Sequence, residues 1–235
     1  MANLTIVTGW SPAGFESYGR RFLKTFGQYV KPDMTHLEVY TNERQEQDIR
    51  ECAAFLARHK DNLAAQGMEP QLCWKDKERV TGYSFRTDAY KFCRQVYSVW
   101  HAACHAHTEY IAWFDGDIVF TAPFDPVKDI IALLPRDKDL AYLGRSPWHS
   151  EIGFQLYRRV DALPMLYDFV GYYTSDKVFE LHEWHSAFAF DKARKQSGIL
   201  AHNLTPEPGS ADVWSRSPLK RWSRHLKGNL KNVAK

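Results

Sequence analysis

Two carboxylates, Asp115 and Asp117, flank Gly116 and interrupt the apolar run Tyr110–Phe120, YIAWFDGDIVF. Acids at the end of a buried strand are costly to desolvate unless something cationic meets them. Hard divalent ions take oxygen ligands and often bridge to substrate phosphates. On an extended chain alternate residues point the same way, so Asp115 and Asp117 would face one ion while Gly116 lets backbone or ligand approach. The spacing therefore predicts a Mg²⁺ or Mn²⁺ site holding a diphosphate. The plainer alternative is a strand-end turn with two solvated aspartates, because Asp-Gly-Asp also suits an ordinary turn. Other groups with chemical potential are Glu151, a carboxylate able to orient a hydroxyl or act as a base, and the segment His182-Glu183-Trp184-His185-Ser186. The two histidines of that segment are three apart, not four, which rejects the zinc-protease pattern HExxH. His101 and His105 have helical metal spacing but no evident third ligand.

A strand, an Asp-x-Asp and an apolar continuation resemble the DxD signature of GT-A glycosyltransferases. A second match lies about a hundred residues on, at His225-Leu226-Lys227-Gly228-Asn229-Leu230-Lys231. It is similar to the HxxGxxK motif of the retaining family 8 type. The resemblance implies a single-domain α/β fold of GT-A, Rossmann-like type, with a mixed central sheet flanked by helices. It implies that Asp115, Asp117 and His225 hold the ion, and that Gly228 and Lys231 meet the donor diphosphate together with Asp115. It further implies that Thr8, Gly9 and Trp10, at the end of the first strand, meet the nucleotide base and ribose. The basic residue presented to the donor by the helix before the DxD strand would be Arg86. Glu151, next to Ile152-Gly153-Phe154, resembles a Glu-x-Gly-Phe pattern on the acceptor side. Glu183 and His185 occupy the approximate place where the family carries its polar side chain near the anomeric carbon. The family's Asp-Gln-Asp motif is not evident there.

The elements that must position these residues are legible in outline. Leu4–Thr8 reads as a strand, followed by a Gly-containing turn and an amphipathic helix over Glu16–Tyr29. His36–Thr41 is a second strand and Gln47–His59 a helix. Gln71–Trp74 is expected as an edge strand and Lys75–Gly82 as a charged connection. Phe85–Ala106 is the longest helical pattern. Val127–Leu134 follows as a short helix, Leu140–Leu143 and Ile152–Tyr157 as strands, and Asp161–Tyr173 as a helix. Ser197–Asn203 suggests a last strand. Leu219–Leu230 places Leu219, Trp222, Leu226 and Leu230 near one helical face, with basic residues elsewhere. Residues 211–235 are thus expected as a basic amphipathic segment that closes over the donor site or contacts an anionic acceptor, within one domain spanning 1–235.

Bulk composition excludes several classes. With 235 residues and 44% hydrophobic content the chain can bury a real core. No 18-residue apolar stretch is present, so no membrane span is expected. MANLTIVTGW lacks a basic n-region and a long apolar h-region, so no signal peptide is expected. The four cysteines show no CxxC spacing, which argues against a zinc ribbon and suits reduced thiols in a cytoplasm, bacterial or phage-infected. No GxGxxG or Walker A motif points to a dehydrogenase or P-loop enzyme. The net charge is +3, but after Asp212 there is no acid and seven Lys and Arg. Such a tail seeks an anionic partner: donor phosphate, membrane surface or nucleic acid.

The expected function is metal-dependent transfer of a sugar from a nucleotide-diphosphate sugar, a UDP-sugar first, to an acceptor hydroxyl, with retention. The acceptor is expected to be a bacterial surface glycan or lipid-linked sugar. The alternative acceptor is hydroxymethylated DNA, whose base must be reached, by flipping if necessary. Two other classes compete: a metal-dependent phosphohydrolase using the same aspartates, and a non-catalytic nucleic-acid or membrane-binding module needing only the tail.

Overall fold

A computed structural model describes residues 3–30, 35–68, 70–72, 79–207 and 212–228. In chain order, strand β1 (Leu4–Trp10) is followed by a short turn of helix α1 (Pro12–Gly14), a π-helical turn and helix α2 (Arg20–Tyr29). Next come β2 (Thr35–Thr41), α3 (Asn42–Asp48), α4 (Arg50–His59), β3 (Pro70–Leu72), β4 (Arg79–Thr81) and α5 (Ala89–His105). The second half holds β5 (Tyr110–Phe114), β6 (Ile118–Phe120), β7 (Leu140–Leu143), β8 (Glu151–Arg158), α6 (Arg159–Thr174) and α7 (Ser186–Ser197). It ends with β9 (Ala201–Asn203) and β10 (Ser223–His225). Six strands form one mixed sheet in the order β2-β1-β5-β8-β7-β9. β1 is parallel to β2 and β5, β8 is antiparallel to β5 and β7, and β9 is parallel to β7. This is the mixed α/β sheet flanked by helices that the sequence predicts.

The strands at the centre read as continuous apolar runs because both faces are covered. In β5, Ile111 and Trp113 join a layer with Tyr97, Phe169 and Phe190 from α5, α6 and α7. Their neighbours Ala112 and Phe114 join the opposite layer with Phe22, Phe120 and Trp222. Local signals set the starts of three helices. The Ser11 hydroxyl accepts from the Gly14 N–H and Pro12 opens the helix, so the helical path begins ahead of the expected Glu16. Thr41 caps α3 in the same way, and extended backbone at Ile49 separates α3 from α4, where a single helix over Gln47–His59 is expected. Asp88 caps α5 through the Lys91 N–H.

Four expectations are corrected. The run Tyr110–Phe120 is not one strand: β5 ends at Phe114, the chain turns through Asp115–Asp117, and β6 leaves for a separate two-stranded sheet with β10. Pro70–Leu72 pairs with Arg79–Thr81 and not with the edge of the central sheet. Within the charged connection expected at Lys75–Gly82, Arg79–Thr81 is strand. The C-terminal segment is not an amphipathic helix where it is described. A 3₁₀ turn (Pro218–Arg221) leads into β10. Leu219 and Trp222, the apolar stripe expected to face a membrane or partner, are buried in the core, at 0% and 4% exposure.

Candidate functional site

The turn after β5 is held at both ends by the backbone. The Asp115 N–H donates to the Gly153 carbonyl of β8 (2.9 Å), and the Ile118 N–H donates to the Asp115 carbonyl (3.1 Å). β10 runs antiparallel to β6 with His225 opposite Ile118. The Leu226 N–H donates to the Asp117 carbonyl (3.0 Å) and locks that register. The result carries the imidazole to the two acids: His225 Nε2 lies 2.9 Å from Asp117 Oδ1 and 3.6 Å from Asp115 Oδ2. The other oxygen of Asp115, Oδ1, accepts from the Trp113 indole N–H at 2.7 Å. Asp115 and Asp117 thus share a focus through a turn held by hydrogen bonds, not through strand alternation.

Close packing explains the two glycines at this point. A Cβ on Gly116 would sit 2.9 Å from the Gly9 carbonyl oxygen. A Cβ on Gly153 would sit 2.7 Å from His225 Cε1 and 3.2 Å from Asp115 Oδ2. Both positions leave no room for a side chain.

Glu151, at the start of β8, completes the group. Its Oε2 pairs with the Lys227 ammonium and lies 3.6 Å from Arg145. Its Oε1 accepts from the Gly153 N–H (3.2 Å) and stands 3.9 Å from His225 Nδ1. Burial pushes the Glu151 carboxyl up, but His225, Lys227 and Arg145 together hold it below the usual carboxylate value. Asp115 behaves oppositely. Burial first, then the Asp117 charge, pushes it up to about 6, against the pull of His225 and the Trp113 bond. His225 is raised: burial opposes its charge, and the bond to Asp117 with the surrounding acids outweighs that.

A cleft of about 640 Å³ opens over this cluster. Gly9, Trp10, Asp115, Asp117, Glu151, His185, His225 and Gly228, expected on the donor and acceptor sides, all border it. Gly228 takes φ +55°, a left-handed conformation that suits glycine. Three expected residues, Thr8, Arg86 and Glu183, fall elsewhere. Thr8 is buried behind the wall with its hydroxyl unpartnered. Arg86 is largely exposed and lies off the cleft wall, 3.8 Å from Glu183 Oε1, while Lys91 and Arg94 of α5 line the wall together with Arg145 and Lys227. Lys231 lies outside the described residues.

His185 is on the wall and Glu183 stands behind it, their side chains joined at 2.7 Å. His149 reaches the same Glu183 oxygen at 3.1 Å. His185 is lowered chiefly by burial, whereas Glu183 is held below its usual value by its two histidines despite burial. The i, i+4 pair His101 and His105 stacks at 4.1 Å and engages the Tyr40 hydroxyl and the His101 carbonyl, so it is tied into local bonding on α5. Sequence reasoning did not single out Lys227, Arg145 or His149. Lys227 lies inside the H-L-K-G segment already marked, so the segment was the available signal. Arg145 and His149 lie in a Pro-containing loop without period, where nothing local marks them.

Neither a family model nor a curated protein matches the sequence. Among solved structures, the chain overlaps a glycosyltransferase involved in the glycosylation of the major capsid of PBCV-1. That overlap has 11% identity and a TM-score of 0.47, over 96% of this chain and 94% of that one. Mouse xyloside xylosyltransferase 1, in its apo form, overlaps at 7% identity and a TM-score of 0.47, over 86% of this chain and 84% of that one. Overlaps this loose carry no function by themselves, and the chemistry of the cleft has to.

That chemistry suits a divalent cation. Two carboxylate oxygens and one imidazole nitrogen converge, and Asp115 is raised by burial first and then by its neighbour's negative charge. His225 Nδ1 is buried without a hydrogen-bond partner, so Nε2 carries the interactions of that ring with the aspartates. A hard or borderline ion at this point would satisfy all three groups.

No helix among the described residues is long and apolar enough to cross a membrane.

Proposed function

We propose that this protein transfers a sugar from a nucleotide-diphosphate sugar to an acceptor hydroxyl, with Asp115, Asp117 and His225 holding Mn²⁺ or Mg²⁺. The observation that carries this reading is the convergence of His225 on both aspartates, at 2.9 and 3.6 Å, on the wall of the cleft. The pairing of an Asp-x-Asp with a distant histidine is what the resemblance to retaining GT-A enzymes of the family 8 type anticipates. A divalent ion bound there supplies Lewis-acid stabilisation of charge on the leaving diphosphate. The chain's own residues do the rest. Lys227 and Lys231 add positive charge beside the phosphates, and Gly228 lets backbone approach them closely. Gly9 and Trp10 border the base and ribose, with Thr8 supporting them from behind. Lys91 takes the donor-facing place first assigned to Arg86. Glu151, ionised and paired with Lys227, with His185 and the Glu183 behind it, forms the acceptor side. Retention follows the resemblance. The acceptor is a bacterial surface glycan or lipid-linked sugar, with hydroxymethylated DNA as the alternative that an acceptor assay separates.

The test is a thermal-shift titration with UDP, GDP and CDP, each with and without Mn²⁺. The expected result is a rise with UDP that needs Mn²⁺ and vanishes in Asp117→Ala. A ligand that binds only the folded state stabilises it by mass action, so no shift with any nucleotide would sink the proposal.

A further inference from the structure

A second group of ligating side chains converges among the described residues: His149, Glu183 and His185, with their ligand atoms all within 4.8 Å of one another. The two imidazole Nε2 atoms lie 3.1 and 2.7 Å from the same oxygen, Glu183 Oε2. Bonds of about 2.0–2.2 Å from nitrogen and oxygen to a tetrahedral zinc-like ion place neighbouring ligands roughly 3.3–3.6 Å apart. To admit one, the His149 separation of 3.1 Å need open only slightly and the His185 separation of 2.7 Å by somewhat more.

The plainer account is a buried carboxylate satisfied by two histidines. The loops do not need those rings to be held, however. Arg145 Nε donates to the His149 carbonyl (3.1 Å), and Ser150 donates to Asp191 from both its N–H and its hydroxyl (2.9 and 2.6 Å). On the other side, the Trp184 N–H donates to the Arg86 carbonyl (2.6 Å) and the Tyr173 hydroxyl to the Trp184 carbonyl (2.9 Å). The three side chains are therefore presented by two independently anchored segments, as a preorganised ligand set requires. Arg86 sits 3.8 Å from the remaining oxygen, Oε1, leaving Oε2 as the ligand atom. Phe85 and Phe92 border the His185 ring at 5.5 and 5.9 Å, and Phe188 borders His149 at 5.1 Å, so aromatic rings flank both imidazoles.

We infer that His149, Glu183 and His185 form a second divalent-metal site, distinct in its ligands from Asp115, Asp117 and His225. Two imidazoles and one carboxylate favour a borderline transition ion such as Zn²⁺ over Mg²⁺ or Ca²⁺. Three protein ligands leave a coordination position open, and His185 is part of the cleft wall. The site does not depend on the transferase reading.

Equilibrium dialysis of the full chain against Zn²⁺, followed by metal counting, tests it. The expected result is two ions in the wild type, one in Asp117→Ala and one in His149→Ala. His149→Cys adds a direct signature: Co²⁺ should then give a thiolate charge-transfer band that the wild type lacks. Equal zinc binding by wild type and His149→Ala, with no such band in His149→Cys, would overturn the inference. Loss of an ion in His149→Ala but not in Asp117→Ala would leave this site standing and remove the metal from the transferase proposal. His149 is 30% exposed, and a retained far-UV spectrum shows that its replacement has not unfolded the chain.

Discussion

At the scale of single residues, the site is a problem of charge in a confined space. Asp115 and His225 are both raised, and both must lose their protons to hold an ion. For each group the protonated form competes with the metal, so affinity falls as pH drops. Mn²⁺ affinity, measured by calorimetry between pH 8 and 5.5, should weaken as pH falls and His225, raised above the ordinary imidazole value by Asp117 and the surrounding acids, takes up its proton. It should weaken further toward about 6, where Asp115 takes up its own. A flat profile would mean that other groups hold the ion. Gly153 gives a test that changes no charge. Its Cβ would press on His225 Cε1 at 2.7 Å, Nδ1 at 3.1 Å and Asp115 Oδ2 at 3.2 Å. Gly153→Ala should therefore lower Mn²⁺ affinity about tenfold or more, roughly 1.4 kcal/mol, while the far-UV spectrum stays unchanged.

At the scale of elements, β10 is the part that brings His225 to the aspartates. It is only three residues long, and so short a ribbon is not stable alone. The buried aromatics around it fasten it. Trp222 stacks on Phe124 with centroids 4.6 Å apart, and its carbonyl accepts from the Thr121 N–H at 2.9 Å. Trp214 donates its indole N–H to the Ser223 hydroxyl (3.2 Å) and packs against the His225 ring at 5.2 Å. Truncating Trp222 leaves a large cavity in this layer. Trp222→Ala should cost roughly 3–5 kcal/mol, read as a lower urea midpoint, and should weaken Mn²⁺ binding because β10 loses its anchor. Trp222→Phe should keep most of both. If Trp222→Ala leaves Mn²⁺ affinity at the wild-type value, the strand is held by something else.

At the scale of the whole molecule, the cleft exists because several layers meet at one end of the sheet. Gly9 and Trp10 come from β1, Gln45 from α3, Lys91 from α5, Asp115 and Asp117 from the turn after β5, and Ser186 from α7. Binding there engages the cooperative unit, so it should register in the stability of the entire chain. At a hundredfold excess over Kd a ligand adds about 2.7 kcal/mol. For a chain of this size that corresponds to a Tm rise of roughly 5–10 °C, the shift to look for with Mn²⁺ and nucleotide together.

The α/β class and the acid pair at the end of a buried strand were legible in the sequence, because burial on both faces leaves an unbroken apolar run and its interruption by charge stands out. The helix starts at Thr41 and Asp88 carry ordinary capping residues, yet apolar periodicity alone places those starts at Gln47 and Phe85, because the first turns carry few core residues. The register of β10 against β6 is not legible, since pairing two short strands about a hundred residues apart leaves no period behind. The basic run after Asp212 even reads as an amphipathic helix, since Leu219 and Trp222 at helical spacing look the same whether they cover a membrane or fill a core. The meeting of His149 with Glu183 and His185, and of Lys227 with Glu151, is likewise a product of tertiary closure. Sequence pattern records which face of an element is buried, and only the packed chain decides which distant side chains share that space.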